Sequence, residues 1–206
     1  MLNVAYSLAV GVVVFAALFF TKLLSAAESS VPAVIATIAT LFVLGRKVFK
    51  QLEQLFTEAG KELQQQRFDA AINTLKSGYK FARQQFGVQS QLDSQIGMIL
   101  FLRKDTNAAI PFLERSKRLD HWFGVGMLAV AYFKKKDYTR MKEAFELVVK
   151  RGKKQGLAWN LYAYCLTQID ENAAAQAVLV RGKTATNGDQ RVSDNLLALQ
   201  IGRAHV

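Results

Sequence analysis

At 206 residues, with a formal charge of +11 and 51% hydrophobic residues, the chain has room for one sizeable domain beside a separate apolar segment, which excludes a minimal peptide. Its single cysteine, Cys165, excludes an internal disulfide framework, offers no zinc-ligand spacing, suits a reducing compartment and is expected to be a buried small residue. Only two prolines interrupt stretches rich in Ala, Leu, Gln, Lys and Glu, so an all-α protein is expected.

In chain order, the first element is an uncharged run over residues 1–21, long enough for a bilayer core of about 30 Å. A second uncharged run covers residues 29–45, and at about 1.5 Å per residue its seventeen residues reach roughly 25 Å. Only Lys22 to Glu28 separate them, so residues 1–45 read as a two-helix transmembrane hairpin with both outer ends on one side. Arg46, Lys47 and Lys50 follow the second run and place that side, and with it the bulk of the chain, in the cytoplasm of a cell bounded by an inner or plasma membrane. A cleaved signal peptide ending at Ser25-Ala26-Ala27 is the rival reading, but it wants a positive n-region that Met1-Leu2-Asn3 does not supply. A third reading makes the second run a buried helix of a soluble core. Because Lys22 and Glu28 cancel, the whole positive excess lies beyond Gly45, a balance that suits an anionic membrane surface, acidic proteins or nucleic acid.

Residues 46–56 carry Val48, Phe49, Leu52, Leu55 and Phe56 at helical spacing, with Lys47, Lys50, Gln51 and Gln54 between them. This amphipathic connecting helix could lie on lipid headgroups or pack on the first repeat. Residues 57–187 repeat. The pairs Ala59/Ala71, Gly97/Ala109, Ala129/Met141 and Ala163/Ala175 each lie twelve positions apart, a large apolar residue follows four later (Leu75, Leu113, Phe145, Leu179), and Gly78, Ser116 and Gly182 come three beyond that. Successive units are 38, 32 and 34 residues apart, near the 34-residue period of a helix-turn-helix repeat. At these residues the chain resembles the tetratricopeptide repeat family. Its best unit is Trp159-x2-Tyr162-Ala163-x2-Leu166 with Ala175-x3-Leu179, and the next is Val125-x2-Leu128-Ala129-x2-Tyr132 with Tyr138 and Phe145. The closing proline of the family is missing, Glu58 and Glu62 stand where apolar residues are usual, and Met141 replaces a small residue. Pro111 falls near the start of a second helix, where Thr106 or Asn107 could cap. The resemblance implies a helix-turn-helix solenoid in which each pair buries its apolar face against the next.

The same register makes residues 188–200 the start of a further repeat or a capping helix, with Leu196, Leu197 and Leu199 in it. Residues 201–206 read as a non-native tail, because Ile-Gly-Arg-Ala-His-Val can be encoded by a common sequencing-adapter read.

Catalysis needs paired carboxylates, a nucleophile with its base, or clustered metal ligands, and the chain offers only His121 and His205. His121 reads as a capping or solvent-facing residue between repeats, and Gly124 and Gly126 lack the lysine and hydroxyl of a phosphate loop. No catalytic, cofactor or metal site is expected. Lys134-Lys135-Lys136 and Lys150-Arg151 with Lys153-Lys154 fall at turns, where they are solvated or attract headgroups; nucleic acid would want basic residues interleaved with exposed aromatics. What the resemblance implies is a peptide-binding face on the first helices of successive units. Its positions here are Met98, Phe101 and Leu102, then Met127, Val130, Phe133 and Lys134, then Asn160, Tyr164 and Gln168. Such an apolar, Met-rich groove suits an amphipathic helix or apolar peptide, and equally it could be filled by the connecting helix or by further repeats. The sequence thus points to a membrane-anchored, non-enzymatic scaffold that binds proteins, with a basic membrane-surface or nucleic-acid-tethering module as its alternative.

Overall fold

The computed structural model describes residues 2–21, 25–119 and 121–204; Lys22, Asp120, His205 and Val206 lie outside them. The fold is all-α. Among the described residues there are ten α-helices and no strand: α1 (Leu2–Phe20), α2 (Ala26–Gln64), α3 (Phe68–Ser77), α4 (Val88–Leu102), α5 (Thr106–Ser116), α6 (Trp122–Lys134), α7 (Tyr138–Arg151), α8 (Gly156–Thr167), α9 (Asn172–Ala185) and α10 (Gln190–Ala204). They form two compact units, Met1–Leu92 and Asp93–Val206, with the division inside α4.

In the first unit, α2 is one unbroken helix of 39 residues whose start is closed by a capping box: Ser25 accepts from the Glu28 backbone N–H while the Glu28 carboxylate takes the Ser25 N–H. α1 lies antiparallel to α2, its Leu2 and Asn3 amides reaching the Arg83 and Gln84 carbonyls at 2.9 and 3.1 Å while Gly45 of α2 comes near Gln85. The face between them is made of small and polar residues at four-residue spacing, Asn3, Ser7 and Gly11 against Ser29, Ala33 and Thr37. A Cβ on Gly11 would run into the Thr37 hydroxyl and come 3.1 Å from the Ala33 carbonyl oxygen, so the backbones meet only because that side chain is absent. The large apolar side chains point the other way: Val12, Val13, Phe20, Ile35, Ile38 and Phe42 are exposed, Phe20 by 79% and Phe42 by 65%. Both helices are long and apolar enough to cross a membrane.

Beyond Gly45, α2 changes habit and buries Val48, Leu52 and Ala59 beside Ala71, Ile72 and Leu75 of α3, with Phe81, Val88 and Leu92 completing that core. Glu62, an acid where the family places an apolar residue, accepts a hydrogen bond from the Thr74 hydroxyl at 2.9 Å across the helix pair.

The second unit stacks helix pairs. Every paired marker in the sequence, Ala59/Ala71 through Ala163/Ala175, is buried, and so are Leu75, Leu113, Phe145 and Leu179. Their small size lets helices close: Leu113 lies 2.7 Å from where a Cβ on Gly97 would stand, and Trp159 lies 2.8 Å from that of Gly182. Tyr162 stacks on Phe145 with ring centroids 4.9 Å apart. The pairs share one turn. Gln66, Lys104, Lys136 and Asp170 have φ of 58, 66, 59 and 61°, and each donates its N–H three residues back while the next residue donates five back, as in Asp105 N–H to the Leu100 carbonyl. These turns are 38, 32 and 34 residues apart, the repeat intervals themselves. The residue that closes each turn then opens the next helix, and it is Asp105, not Thr106 or Asn107, that caps α5, accepting from the Ala108 N–H. Pro111 is the sixth residue of α5, one turn later than the sequence placed it, and it leaves the carbonyl of exposed Asn107 to solvent.

Two outcomes are expected. Gly11→Leu should force α1 from α2 and lower stability in detergent micelles by about 1–3 kcal/mol, read by thermal unfolding; an unchanged melt would show that this face is not the contact. Trp159, 4% exposed with its indole N–H on the Lys153 carbonyl at 2.9 Å, should on replacement by Ala cost about 3–5 kcal/mol in chemical denaturation, and a change of a surface site's size would refute its core role.

Candidate functional site

The ten groove positions all lie in the second unit, nine on its first helices α4, α6 and α8 and Gln168 at the C-cap of α8, and none of them is buried. Met98, Phe101, Met127, Val130, Phe133 and Asn160 are half-buried; Leu102, Lys134, Tyr164 and Gln168 are exposed, Tyr164 by 57%. The reason is helical register: α6 turns Val125, Leu128, Ala129 and Tyr132 into the core, which leaves Met127, Val130, Phe133 and Lys134 on the opposite side. α6 packs beside α8 and α8 beside α10, so these faces adjoin. The structure brings some of the positions together. The Lys134 ammonium sits 4.8 Å over the Phe101 ring, tying α4 to α6. Asn160 is held by the Asn195 amide of α10 at 2.9 Å, a partner one repeat further on that sequence reading did not assign. Phe133 turns toward Tyr138 of its own pair, ring centroids 6.4 Å apart.

A second surface, on the other side of the pairs, was missed. α7, α9 and the turn after α7 line an open cleft of about 1030 Å³ with Trp159, Leu147 and Val180 in its wall and Lys150, Lys153, Lys154 and Arg181 around it. Arg181 grips Glu146 through two hydrogen bonds of 3.0 and 2.8 Å and covers the Trp159 ring at 5.5 Å. Glu146 and Arg181 are 35 positions apart, as Asn160 and Asn195 are, so opposite charges one repeat apart were the available signal. The predicted basic clusters split here: Lys136 supplies a turn, while Arg151 donates to the Lys117 and Arg118 carbonyls at 2.7 and 2.9 Å and closes the end of α5.

Burial and charge shift three groups on this side. The hydrogen bond from Arg181 holds the Glu146 carboxyl below its usual range, and that same bond raises the Arg181 guanidinium. Tyr162 is pushed up to about 12, first by burial and then by the adjacent Glu146 charge. Burial alone pushes the Cys165 thiol up to about 11, so it is an inert core residue. His121 precedes α6 at its N-cap with no side-chain capping bond and faces solvent. Among the described residues no group of three His, Cys, Asp or Glu could hold a metal ion.

A tetratricopeptide-repeat family model matches residues 125–151, which are α6 and α7. The chain therefore carries a tetratricopeptide repeat at α6 and α7. The match falls on the unit that reads second best in the sequence, the one with Val125, Leu128, Ala129, Tyr132 and Phe145. No curated relative matches the chain. Two solved structures share the repeat fold: a MamA protein, TM-score 0.59 at 16% identity over 74% of this chain and 82% of that one, and the MamA RS-1 ArsTM double mutant, TM-score 0.56 at 14% identity over 73% and 84%. Stacked repeats of this kind expose extended surfaces on which protein partners bind.

The Tyr162 shift sets a pH dependence. An unfolded phenol titrates near 10, whereas the folded protein holds this proton to about 12, so ionisation favours unfolding. The stabilisation is whole below pH 10 and is lost as pH rises through 12. Denaturation midpoints should fall across that window, and Tyr162→Phe should flatten the fall; an equal slope in the variant would assign it elsewhere.

Proposed function

We propose that this chain is a membrane-anchored scaffold whose repeats recruit a protein partner at the cytoplasmic face. In this reading residues 1–45 span the bilayer, 46–56 lead out of it, 57–187 carry the repeats and 188–200 begin a further one. The observation that carries the anchor is the inside-out hairpin: small and polar side chains between α1 and α2, large apolar ones outward. Water would reject that arrangement and lipid favours it, since backbone proximity at small residues is how helices associate where no hydrophobic force drives them together. It also argues against the buried soluble helix. Arg46, Lys47 and Lys50 at the exit of the second span favour a cytoplasmic repeat unit.

The partner face is the row from Met98 to Gln168. Seven of its ten side chains are apolar or aromatic, all ten are half-buried or exposed, and a buried layer supports them from behind, which is the arrangement that concentrates binding energy on a few anchors. An amphipathic helix or apolar peptide fits it. The basic alternative draws on the lysines around the Trp159 cleft, Lys150, Lys153 and Lys154, and is separated by its steep dependence on salt.

The test joins topology to capture. A reporter fused after Gln200 should be active in the cytoplasm, and activity on the far side would overturn the orientation. With the partner identified by crosslinking and mass spectrometry in native membranes, Phe101→Ser and Phe133→Ser should each lose about 1–4 kcal/mol of affinity while helicity and melting temperature hold. Reversing Lys134, Lys135 and Lys136 to Glu should matter mainly at low salt. If charge reversal abolishes capture and the aromatic changes do not, the electrostatic reading replaces this one.

A further inference from the structure

The first unit holds a surface that the scaffold reading leaves unused, at the level where α1 begins. The segment between α3 and α4 does not simply connect them. A 3-10 turn (Gly78–Phe81) and residues 82–87 double back so that the Arg83 and Gln84 carbonyls receive the first two amides of α1, at 2.9 and 3.1 Å, and Gln85 lies against Gly45. Those amides are among the four donors that a helix start leaves without intrahelical partners, and here a distant segment satisfies two of them. The consequence is positional. The segment is fixed at one end of the apolar hairpin, beside the last residue of the uncharged run.

What gathers at that level is cationic and aromatic. Arg46 and Lys47 come directly after Gly45, and Phe49, 62% exposed, and Lys50 lie within about 8 Å of it along the axis of α2. Lys80 and Arg83 of the returning segment are exposed, and Phe86 is 67% exposed on a segment otherwise packed by Phe81 and Val88. No carboxylate pairs with Arg46, Lys47, Lys50 or Lys80 among the described residues, and Lys80 stands 5.0 Å over the Phe81 ring. Nothing in a water-soluble surface requires exposed phenylalanines to share a level with four such cations, whereas the headgroup zone of a bilayer takes both.

We infer that residues 80–86, together with Arg46, Lys47, Phe49 and Lys50, form a membrane-interface site that binds the anionic headgroups of the bilayer the hairpin crosses. Lys80, Arg46, Lys47 and Lys50 meet lipid phosphates, Phe86 and Phe49 enter the boundary with the acyl chains, and the hydrogen bonds from Leu2 and Asn3 set the depth at which they do so. The first helix pair is thereby seated on the membrane by two chain segments rather than suspended from α2 alone. This inference rests on the anchored reading, and it adds to that reading a lipid-binding role for a segment that the repeats themselves do not need.

The experiment uses the full chain in vesicles of phosphatidylcholine with phosphatidylglycerol, carrying a nitroxide-labelled lipid near the headgroup. A tryptophan is introduced as Phe86→Trp or, as a reference, as Gln64→Trp at the exposed far end of α2, roughly 28 Å along that helix from Gly45. After subtraction of the parent emission, the Phe86→Trp signal should be quenched several-fold more than the Gln64→Trp signal. Replacing Arg46, Lys47, Lys50 and Lys80 by Gln, or omitting phosphatidylglycerol, should remove most of that difference. Retention in the membrane through alkaline carbonate extraction reports the hairpin separately. Equal quenching at both positions in carbonate-resistant protein overturns the interface site and leaves the anchor standing. Release of the chain by carbonate overturns the anchor and the site with it. Strong quenching that ignores both the charge changes and phosphatidylglycerol overturns the headgroup role.

Discussion

Each of the repeat pairs, from α2 with α3 to α8 with α9, depends on one backbone constraint, a residue held at positive φ between its two helices. Gln66, Lys104, Lys136 and Asp170 do this, and Asn187 repeats the positive φ before α10. For residues other than glycine the left-handed conformation is unfavourable by roughly 1–2 kcal/mol, so the neighbouring structure must enforce it. It does so by closing two hydrogen bonds around each turn, which consume carbonyls that the preceding helix would otherwise leave unsatisfied. With the reversal fixed, the helices have no freedom but to lie antiparallel, and the small residues at Ala59, Gly97, Ala129 and Ala163 set how close they come. Stacking, and both surfaces of the stack, result from that.

The hairpin obeys the opposite packing rule with the same geometry. In the repeats, large apolar residues such as Leu113 and Phe145 face inward and lysines face out; in α1 and α2, Gly11, Ser29 and Ala33 face inward and Phe20 and Phe42 face out. α2 performs both within one helix. Up to Gly45 its large residues are mostly exposed, and beyond it Val48 and Leu52 are buried while Phe49 stays exposed, so the change of rule begins within about one turn, at Arg46 and Lys47. A helix without a break carries the orientation of its apolar first half directly into the first repeat, which a flexible linker would lose.

Much of this was legible in the sequence because helical repeats write their packing in small residues at fixed spacing. The buried markers, the period and the start of α10 could all be read from apolar positions alone. The caps could not, since Asp105, Thr106 and Asn107 are all capable residues and the choice among them belongs to the turn that precedes them. That Met127 and Phe133 lie away from the core was legible as a consequence of register: once Leu128 and Tyr132 are known to be buried, these two must look away. Their links across repeats were less so. Lys134 over Phe101 and Asn195 on Asn160 join residues that are far apart in sequence and polar or charged, a pattern that periodicity of apolar residues does not register. The cleft beside Trp159 was hidden for a different reason, because a buried tryptophan and a glycine at Gly182 read as core, and the opening arises only where the turn after α7 spreads its lysines around them.

The two faces of the stacked pairs therefore differ in what they can recognise. On the first-helix face the accessible side chains are methionine, phenylalanine and tyrosine, and the nearby cation Lys134 is already engaged by an aromatic ring. A partner gains there chiefly by removing apolar surface from water, at about 25 cal/mol for each Å². On the second-helix face the cations around Trp159 are three lysines and one arginine whose charge Glu146 already meets. Attraction there is long-ranged and screened within about 8–10 Å at physiological salt, so it governs approach more than retention. A scaffold with both could gather an acidic protein by one face and hold an apolar segment by the other. The apolar face is the one on which specificity would rest, because its anchors require a matching shape, whereas exposed lysines accept any anion.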